Sequence, residues 1–288
     1  MRTSVFKSSN FLIGFAVCIF AFTNCDKVTH PIQSAGQNVD TVKLVRKVLV
    51  EDYTGHQCGN CPPAAVAIND LETSYHEKVV PIAVHAGFYA RTSGEFLTSY
   101  TTSIGNDWDG SVGFNISAGA GNPNGMVNRK SFQGALVQGI SKWSSAVSES
   151  FNNDPYILGF TLTPTYDPST RILNTSVKSK FKASYTNTVN ITMVLTEDSI
   201  VGPQKDYSKN PDKIPSYVFM HMLRDGINGS WGTLLKAGPV NANDSTTVSF
   251  NNFSVKPAFN DKQLYIVAFA SDAATHEVLQ AERVKLRK

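Results

Sequence analysis

The sequence lacks a hydrophobic run long enough to cross a membrane, and it lacks a large excess of charge of one sign. The apolar run at residues 11–22 (FLIGFAVCIFAF) would extend about 18 Å as a helix, whereas the hydrocarbon core of a bilayer is about 30 Å thick. The formal net charge is +3, from 26 basic and 23 acidic residues. These features argue against a helical membrane anchor and against a protein that recruits nucleic acid through its overall charge.

The sequence also lacks the patterns of a metal site and of a phosphate-binding loop. Cys58 and Cys61 form a CxxC pair, but no second CxxC or CxxH supplies the two further ligands that zinc needs. The glycine cluster at residues 119–125 is not followed by Lys-Ser or Lys-Thr, and it leads into a predicted strand instead of a helix. We therefore predict no metal and no bound cofactor.

The N-terminus has the features of an export signal. Arg2 and Lys7 precede the apolar run, which ends at Phe22-Thr23-Asn24-Cys25. This ending resembles a lipobox, although Asn24 is larger than the residue usual before the cysteine, and no Ala-x-Ala cleavage site is present. We predict a lipoprotein signal peptide at residues 1–24 and a lipid on Cys25 that attaches the protein to a membrane. A plain secretory signal with an incidental cysteine is the alternative.

The remaining chain divides into three parts by composition. Residues 25–43 are polar without a period, which predicts a flexible tether. Residues 44–153 mix buried-strand and helix patterns, with an aromatic-rich insertion at about 88–118 and a helix near 95–104. Residues 154–288 alternate apolar and polar positions in short segments separated by turn residues, which predicts an antiparallel sandwich. Its expected strands are 156–163, 172–181, 189–197, 216–223, 246–253, 264–271 and 278–286.

The CxxC pair lies between a predicted strand and a predicted helix. Residues 45–53 predict a buried strand, the helix begins at Pro62, and residues 79–85 predict a second buried strand. A thiolate at a helix N-terminus is stabilised by unpaired N–H groups and by the helix dipole. This placement favours Cys58, expected to be the more exposed, as the nucleophile and Cys61 as the resolving thiol. A static disulfide is the alternative.

The segment at residues 44–150 resembles the thioredoxin superfamily. The resemblance implies a buried carboxylate six residues before the first cysteine, where it assists proton transfer at the second; that position is Asp52. It also implies a cis-proline loop whose backbone binds substrate, and the candidate is Asn122-Pro123. Gln57 departs from the tryptophan usual before the first cysteine. The alternatives are a solvated acid at Asp52 and an ordinary turn proline at Pro123.

These observations together predict the fold class. We expect an α/β thioredoxin-like domain, with a β-sheet flanked by helices, at residues 44–153. We expect an all-β, immunoglobulin-like antiparallel sandwich at residues 154–288. A histidine at 56 is expected to be exposed in its loop, or else to favour the thiolate as a cation, and His221 is expected to pack in a core.

Several segments in both halves resemble the twenty-eight-kilodalton outer-membrane protein family of Bacteroidetes. The resemblance covers about residues 44–286 and is strongest at the CxxC segment, at the loop before residue 129, and at residues 217–224, 229–232, 267–269 and 277–281. It implies an exported lipoprotein of the outer membrane. It implies little about activity, because the family is better described by location than by reaction, with adhesion or receptor roles suggested.

The predicted function is thiol–disulfide exchange with envelope proteins or peptides by a lipid-anchored protein of the cell envelope. The alternative is a binding or adhesion module in which the Cys58–Cys61 disulfide is structural. The sequence leaves open the direction of electron flow and the membrane face. It also leaves open O-glycosylation at Thr41, Ser199 and Ser245, each of which follows an aspartate.

Overall fold

The computed structural model describes residues 45–287, which lie in one compact unit, Thr41–Lys288. The predicted signal peptide, the lipidation site at Cys25, the tether and Thr41 lie outside the described residues. In the described part of the chain, no helix is both long enough and apolar enough to span a bilayer.

The described residues form four α-helices and thirteen strands. The helices are α1 (Pro62–Tyr75), α2 (Ser103–Asp109), α3 (Ile116–Gly119) and α4 (Ile140–Asn153). The strands are β1 (Val48–Thr54), β2 (Val79–His85), β3 (Asn124–Val127), β4 (Leu158–Asp167), β5 (Ile172–Phe181), β6 (Val189–Glu197), β7 (Ile200–Lys205), β8 (Lys213–Phe219), β9 (Met222–Gly226), β10 (Thr233–Lys236), β11 (Ser245–Ser254), β12 (Leu264–Asp272) and β13 (Val278–Lys285).

The local sequence explains the unit β1-α1-β2 that holds the cysteines. Every residue of β1 is buried, as expected for an apolar strand covered on both faces. Helix α1 begins with Pro62 and Pro63, whose missing N–H groups need no partner in the first turn. It buries Ala64, Ile68 and Leu71, which share one face because they are three or four residues apart.

One eight-stranded sheet contains strands from both halves of the chain. Its order is β13-β12-β6-β9-β2-β1-β3, and β10 also pairs with β6. Strand β1 pairs in parallel with β2, and β2 continues in parallel to β9 at Ala83 and Met222. The remaining pairs in this sheet are antiparallel.

The two faces of the central strands support two hydrophobic cores. Successive side chains of a strand point to opposite faces, so Met193 of β6 joins one core and Val194 the other. The Met193 core lies under the three-stranded antiparallel sheet β11-β5-β4 and includes Phe160 and Val177. The Val194 core contains residues of β1 and β2 together with Phe269 of β12. The Val194 core therefore contains residues from both halves of the chain.

The predicted fold class is wrong. The described structure is mostly β, with mixed and antiparallel sheets, and a separate thioredoxin-like α/β domain is not formed. The edge of β2 pairs with β9 from the C-terminal half, and three of the strands expected in a sandwich, β6, β12 and β13, continue the same sheet. The local β1-α1-β2 pattern was predictable. The strand that pairs with the free edge of β2 is β9, which comes from a distant part of the sequence. The domain limits themselves stay a prediction.

Several elements were predicted with accurate bounds. Strands β2, β5 and β6 have the expected limits. The expected strand at 216–223 is divided into β8 and β9, because His221 has a left-handed φ of 55°. The helix expected near 95–104 begins at Ser103 instead.

Candidate functional site

A disulfide joins Cys58 and Cys61 in the loop between β1 and α1, with 5.3 Å between their Cα atoms. Cys61 is the N-cap residue of α1, and its carbonyl accepts a hydrogen bond from the Ala64 N–H at 2.9 Å. Cys58 is 2% exposed and Cys61 is 3% exposed. The prediction that Cys58 would be the more exposed cysteine is therefore wrong, because both are covered.

The cover is the β7–β8 hairpin, residues 200–219, which we call the covering hairpin. Its Gln204 side chain donates a hydrogen bond to the Cys58 carbonyl at 3.0 Å. The Tyr207 N–H donates to the Gly59 carbonyl at 2.9 Å, and a Cβ added at Gly59 would lie 2.6 Å from the Tyr207 ring. Nothing local to the CxxC pair in the sequence indicates which distant segment packs on it, so this cover was not predicted.

A second segment, residues 87–93, holds the loop from another side. The Gln57 N–H donates to the Tyr89 carbonyl at 3.0 Å, and His56 Nε2 lies 2.8 Å from the Arg91 carbonyl. Gly55 packs so closely that an added Cβ would lie 2.4 Å from the Tyr89 backbone. The disulfide loop is therefore fixed between the predicted insertion and the covering hairpin.

Asp52 lies on β1, is 5% exposed, and points away from its neighbour Glu51. Glu51 accepts two hydrogen bonds from Arg129 on the opposite face, at 2.7 and 2.9 Å. Among the described residues, none donates a hydrogen bond to Asp52 Oδ1. Burial raises the pKa of Asp52 to about 7, and the charge of His221 opposes this increase. The alternative interpretation of Asp52 as a solvated acid is wrong.

Asp52 and Cys61 both line a cavity of about 120 Å³ behind the disulfide. The other polar residues around it include Glu72, His85 and His221. Burial lowers the pKa of His85 to about 3, with smaller contributions from the nearby charges of His56 and Arg224, so the His85 ring is neutral. The cavity thus joins the second cysteine to a buried carboxyl group.

His56 is 1% exposed and belongs to an aromatic cluster. Its ring is stacked on Phe96, with 5.3 Å between ring centroids, and has an edge contact with Tyr100 at 5.4 Å. Burial lowers the pKa of His56, while its hydrogen bond to the Arg91 backbone opposes this decrease. His56 is therefore neither an exposed loop histidine nor a cation that stabilises the thiolate.

His221 is buried, as predicted, but it belongs to a charged network. Its Nε2 lies 2.9 Å from Glu72 Oε2, and its backbone N–H donates to Asp198 Oδ1 at 2.8 Å. Arg283 completes the network with a 2.6 Å hydrogen bond to Asp198 Oδ2. Burial acts to lower the pKa of His221, but the hydrogen bonds to Asp198 and Glu72 outweigh it and raise that pKa. The sequence missed this network because its members are distant in the chain.

The peptide bond between Asn122 and Pro123 is cis, and it directly precedes β3. Asn122 Oδ1 accepts a hydrogen bond from Ser117 Oγ at 3.3 Å. Neither Asn122 nor Pro123 is among the described residues that line the cavity beside Cys61. Their role in binding substrate stays a prediction.

Within residues 45–287, no three His, Cys, Asp or Glu side chains are grouped so that they could hold a metal ion.

The fold and the site together define a β-rich protein with a buried disulfide beside a buried carboxyl group. Residues 115–288 match the sequence profile of the family described as outer membrane protein Omp28. Because this match covers more than half of the chain, the protein belongs to the Omp28 family. Family membership indicates a location in the cell envelope or outer membrane.

The other comparisons add little. No curated protein matches the chain. A crystal structure of a protein from Agrobacterium tumefaciens is similar at 12% identity and a TM-score of 0.49, over 85% of this chain and 96% of that chain. This likeness is too weak to support an argument about fold or function.

Proposed function

We propose that this Omp28-family protein is an envelope thiol–disulfide exchange protein whose redox pair is closed by the covering hairpin. The observation that supports this most strongly is the cavity shared by Cys61 and the unpaired carboxyl of Asp52. The proposed partners are thiols and disulfides of envelope proteins or peptides.

The buried carboxyl of Asp52 supports exchange chemistry because a static disulfide does not need it. Burying a polar group without a partner costs on the order of 1–3 kcal/mol, and a disulfide that is never reduced takes up no protons. Breaking the disulfide releases thiolates, which must be protonated. A carboxyl group whose pKa is about 7 can donate and accept a proton near neutral pH.

The proposed reaction begins when a substrate thiolate attacks Cys58 Sγ. The Cys58–Cys61 bond breaks, a mixed disulfide forms, and Cys61 leaves as a thiolate that takes a proton from Asp52. A second substrate thiolate then attacks the substrate sulfur of the mixed disulfide and releases Cys58 as a thiolate, which is protonated. The substrate is oxidised to a disulfide and the pair is reduced to two thiols; the reverse sequence reduces a substrate disulfide.

Substrate access requires the covering hairpin to move. Gln204, Lys205 and Tyr207 all bond to the backbone of the disulfide loop. With Cys58 only 2% exposed, a substrate thiolate reaches its sulfur only when these contacts open. The hairpin would therefore control the rate of exchange.

The same burial favours a second candidate function. A disulfide covered on two sides and exposed by only 2–3% per cysteine is typical of a structural bond. In that case the protein would be a binding or adhesion module, and the disulfide would only stabilise the loop.

The redox potential separates the two functions. Glutathione titration with thiol trapping should give a potential between about −120 and −270 mV if the pair exchanges thiols, and below about −300 mV if it is structural. Asp52→Asn should slow reduction near neutral pH, because Cys61 then loses its proton donor. Asp70→Asn, which removes an exposed carboxylate from α1, should have no effect and is the matched control. The proposal would be overturned by a redox potential below about −300 mV together with an Asp52→Asn variant that is reduced at the wild-type rate.

We also propose that a lipid on Cys25 anchors the protein to the outer membrane. The support is the lipobox-like sequence together with Omp28 membership. Replacing Cys25 with alanine should move the protein from the membrane fraction to the soluble envelope fraction, and mass spectrometry of the N-terminal peptide should identify the acyl groups. A variant that stays in the membrane fraction would contradict the anchor.

A further inference from the structure

His221 and Asp52 lie near each other across the large sheet, although 169 positions separate them in the sequence numbering. Asp52 pairs with Ala83 of β2, and Ala83 pairs in turn with Met222, which follows His221. The Ala83 N–H also donates to the His221 carbonyl at 2.9 Å. Since neighbouring strands are about 4.8 Å apart, the two residues are separated by roughly 10 Å. Both line the cavity beside Cys61.

The surroundings of His221 hold its ring in place and favour its charged form. Glu72 Oε2 lies 2.9 Å from Nε2, and Asp198 Oδ1 lies 3.4 Å from Nδ1. The backbone is fixed by the bond from the His221 N–H to Asp198. An imidazolium ring with a carboxylate at each nitrogen keeps its proton near neutral pH.

The other charged groups around His221 and Asp52 have less effect on the pKa of Asp52 than His221 has. Asp198 is paired with Arg283 at 2.6 Å, so their charges largely cancel. Glu72 pairs with His221 and also lines the cavity, but its side chain is 28% exposed and borders an open groove, where solvent screens its charge. His85 faces the cavity as a neutral ring.

Tyr217, the remaining titratable residue around the cavity, is a neutral phenol whose pKa is raised by burial. The imidazolium of His221, whose side chain is only 10% exposed, is therefore a buried positive charge at the cavity, and it is the charge that opposes the effect of burial on the pKa of Asp52.

We propose that His221 is a positioning residue for Asp52, supplying a fixed positive charge across the cavity that lets the carboxyl release its proton to Cys61 near neutral pH. This inference rests on the proposed thiol–disulfide exchange for its purpose. A unit charge at a distance equal to the backbone separation of about 10 Å, with an effective dielectric constant of about 20, changes the protonation equilibrium of a carboxyl group by about tenfold, or about one pH unit. Without His221, Asp52 would hold its proton too tightly and ionise only in more alkaline solution.

The test is an NMR titration of the Asp52 side-chain carboxyl in the oxidised full-length protein. His221→Asn removes the charge, and asparagine tolerates the left-handed φ of 55° at this position. The matched control is His276→Asn, since His276 also has a left-handed φ, of 63°, but its ring packs on Trp231. We expect the midpoint of Asp52 to rise by about one pH unit in His221→Asn and to stay unchanged in His276→Asn. An unchanged or lowered midpoint in His221→Asn would overturn the inference.

A second measurement covers the case in which His221→Asn does not fold. NMR titration of the His221 ring in the wild-type protein should show that it remains protonated throughout the titration of Asp52. A ring that is neutral at pH 7 would overturn the inference without any variant.

The rate of disulfide reduction by dithiothreitol, measured against pH, separates this inference from the proposed function. If both hold, the midpoint of the rate profile should follow the midpoint of Asp52 in wild type and in His221→Asn. If the Asp52 midpoint moves but the rate profile does not, His221 still positions the charge of Asp52, and thiol–disulfide exchange through Asp52 is the part that fails.

Discussion

Replacing Asp52 with asparagine should make the protein more stable in alkaline solution but not in acid. The pKa of Asp52 is about 7 in the folded protein, against an ordinary value of 3.8. Below pH 3.8 the carboxyl is protonated in both folded and unfolded states, so it contributes no penalty. Between pH 3.8 and 7 the unfolded state releases the proton while the folded state keeps it, and stability falls as the pH rises. The full penalty above pH 7 is about 4 kcal/mol, since each pKa unit is worth 1.36 kcal/mol.

Urea unfolding of wild type and Asp52→Asn at intervals from pH 4 to pH 9 measures this penalty. The difference in unfolding free energy between the two proteins should change by about 4 kcal/mol over this range, in favour of the variant at high pH. Any effect of the asparagine amide on the unfolding free energy that does not depend on pH cancels when values at different pH are compared. Asp70→Asn, on the exposed face of α1, is the control and should give no such trend against wild type. A change of less than about 1 kcal/mol for Asp52→Asn would refute the assignment of a buried, unpaired carboxyl.

Two further predictions, one with a control substitution, concern the surroundings of the site. Glu51→Gln leaves the guanidinium of Arg129 buried without its carboxylate, and urea unfolding should show that the unfolding free energy falls by about 3–5 kcal/mol. The control, Glu95→Gln, breaks an exposed ion pair with Lys213 and should lower the unfolding free energy by at most about 1 kcal/mol. Equal losses in the two variants would contradict this reasoning. Tyr207→Ala removes the ring that covers Gly59, and the loss of about 1 kcal/mol of packing should speed reduction by dithiothreitol several-fold. An unchanged rate would mean that the hairpin does not limit access.

The sequence predicted the local pattern around the cysteines well. Apolar runs gave β1 and β2, and tandem prolines marked the start of α1, because these features depend on neighbouring residues. Prediction succeeded where the cause lies within a few residues.

The sequence did not predict the partners of these elements. Strand β2 pairs with β9, and the disulfide loop bonds to Gln204 and Tyr207, yet no local pattern specifies such distant contacts. His56 shows the same difficulty, since a polar residue in a loop is usually exposed, whereas here Phe96 and Tyr100 bury it. The fold class was wrong for this reason: it was inferred from the type of each element and not from the pairing between elements.

The covering hairpin lies well after the two cysteines in the sequence, so the disulfide can form before the hairpin packs on it. Cys58 and Cys61 precede residues 200–219 in the sequence, and in an oxidising compartment the two thiols are accessible to an oxidant until the hairpin packs on them. Once the hairpin folds onto Gly59 and Cys58, the bond is closed off from solvent. The disulfide is thus easiest to form before the covering hairpin packs, and any later exchange requires the hairpin to open again.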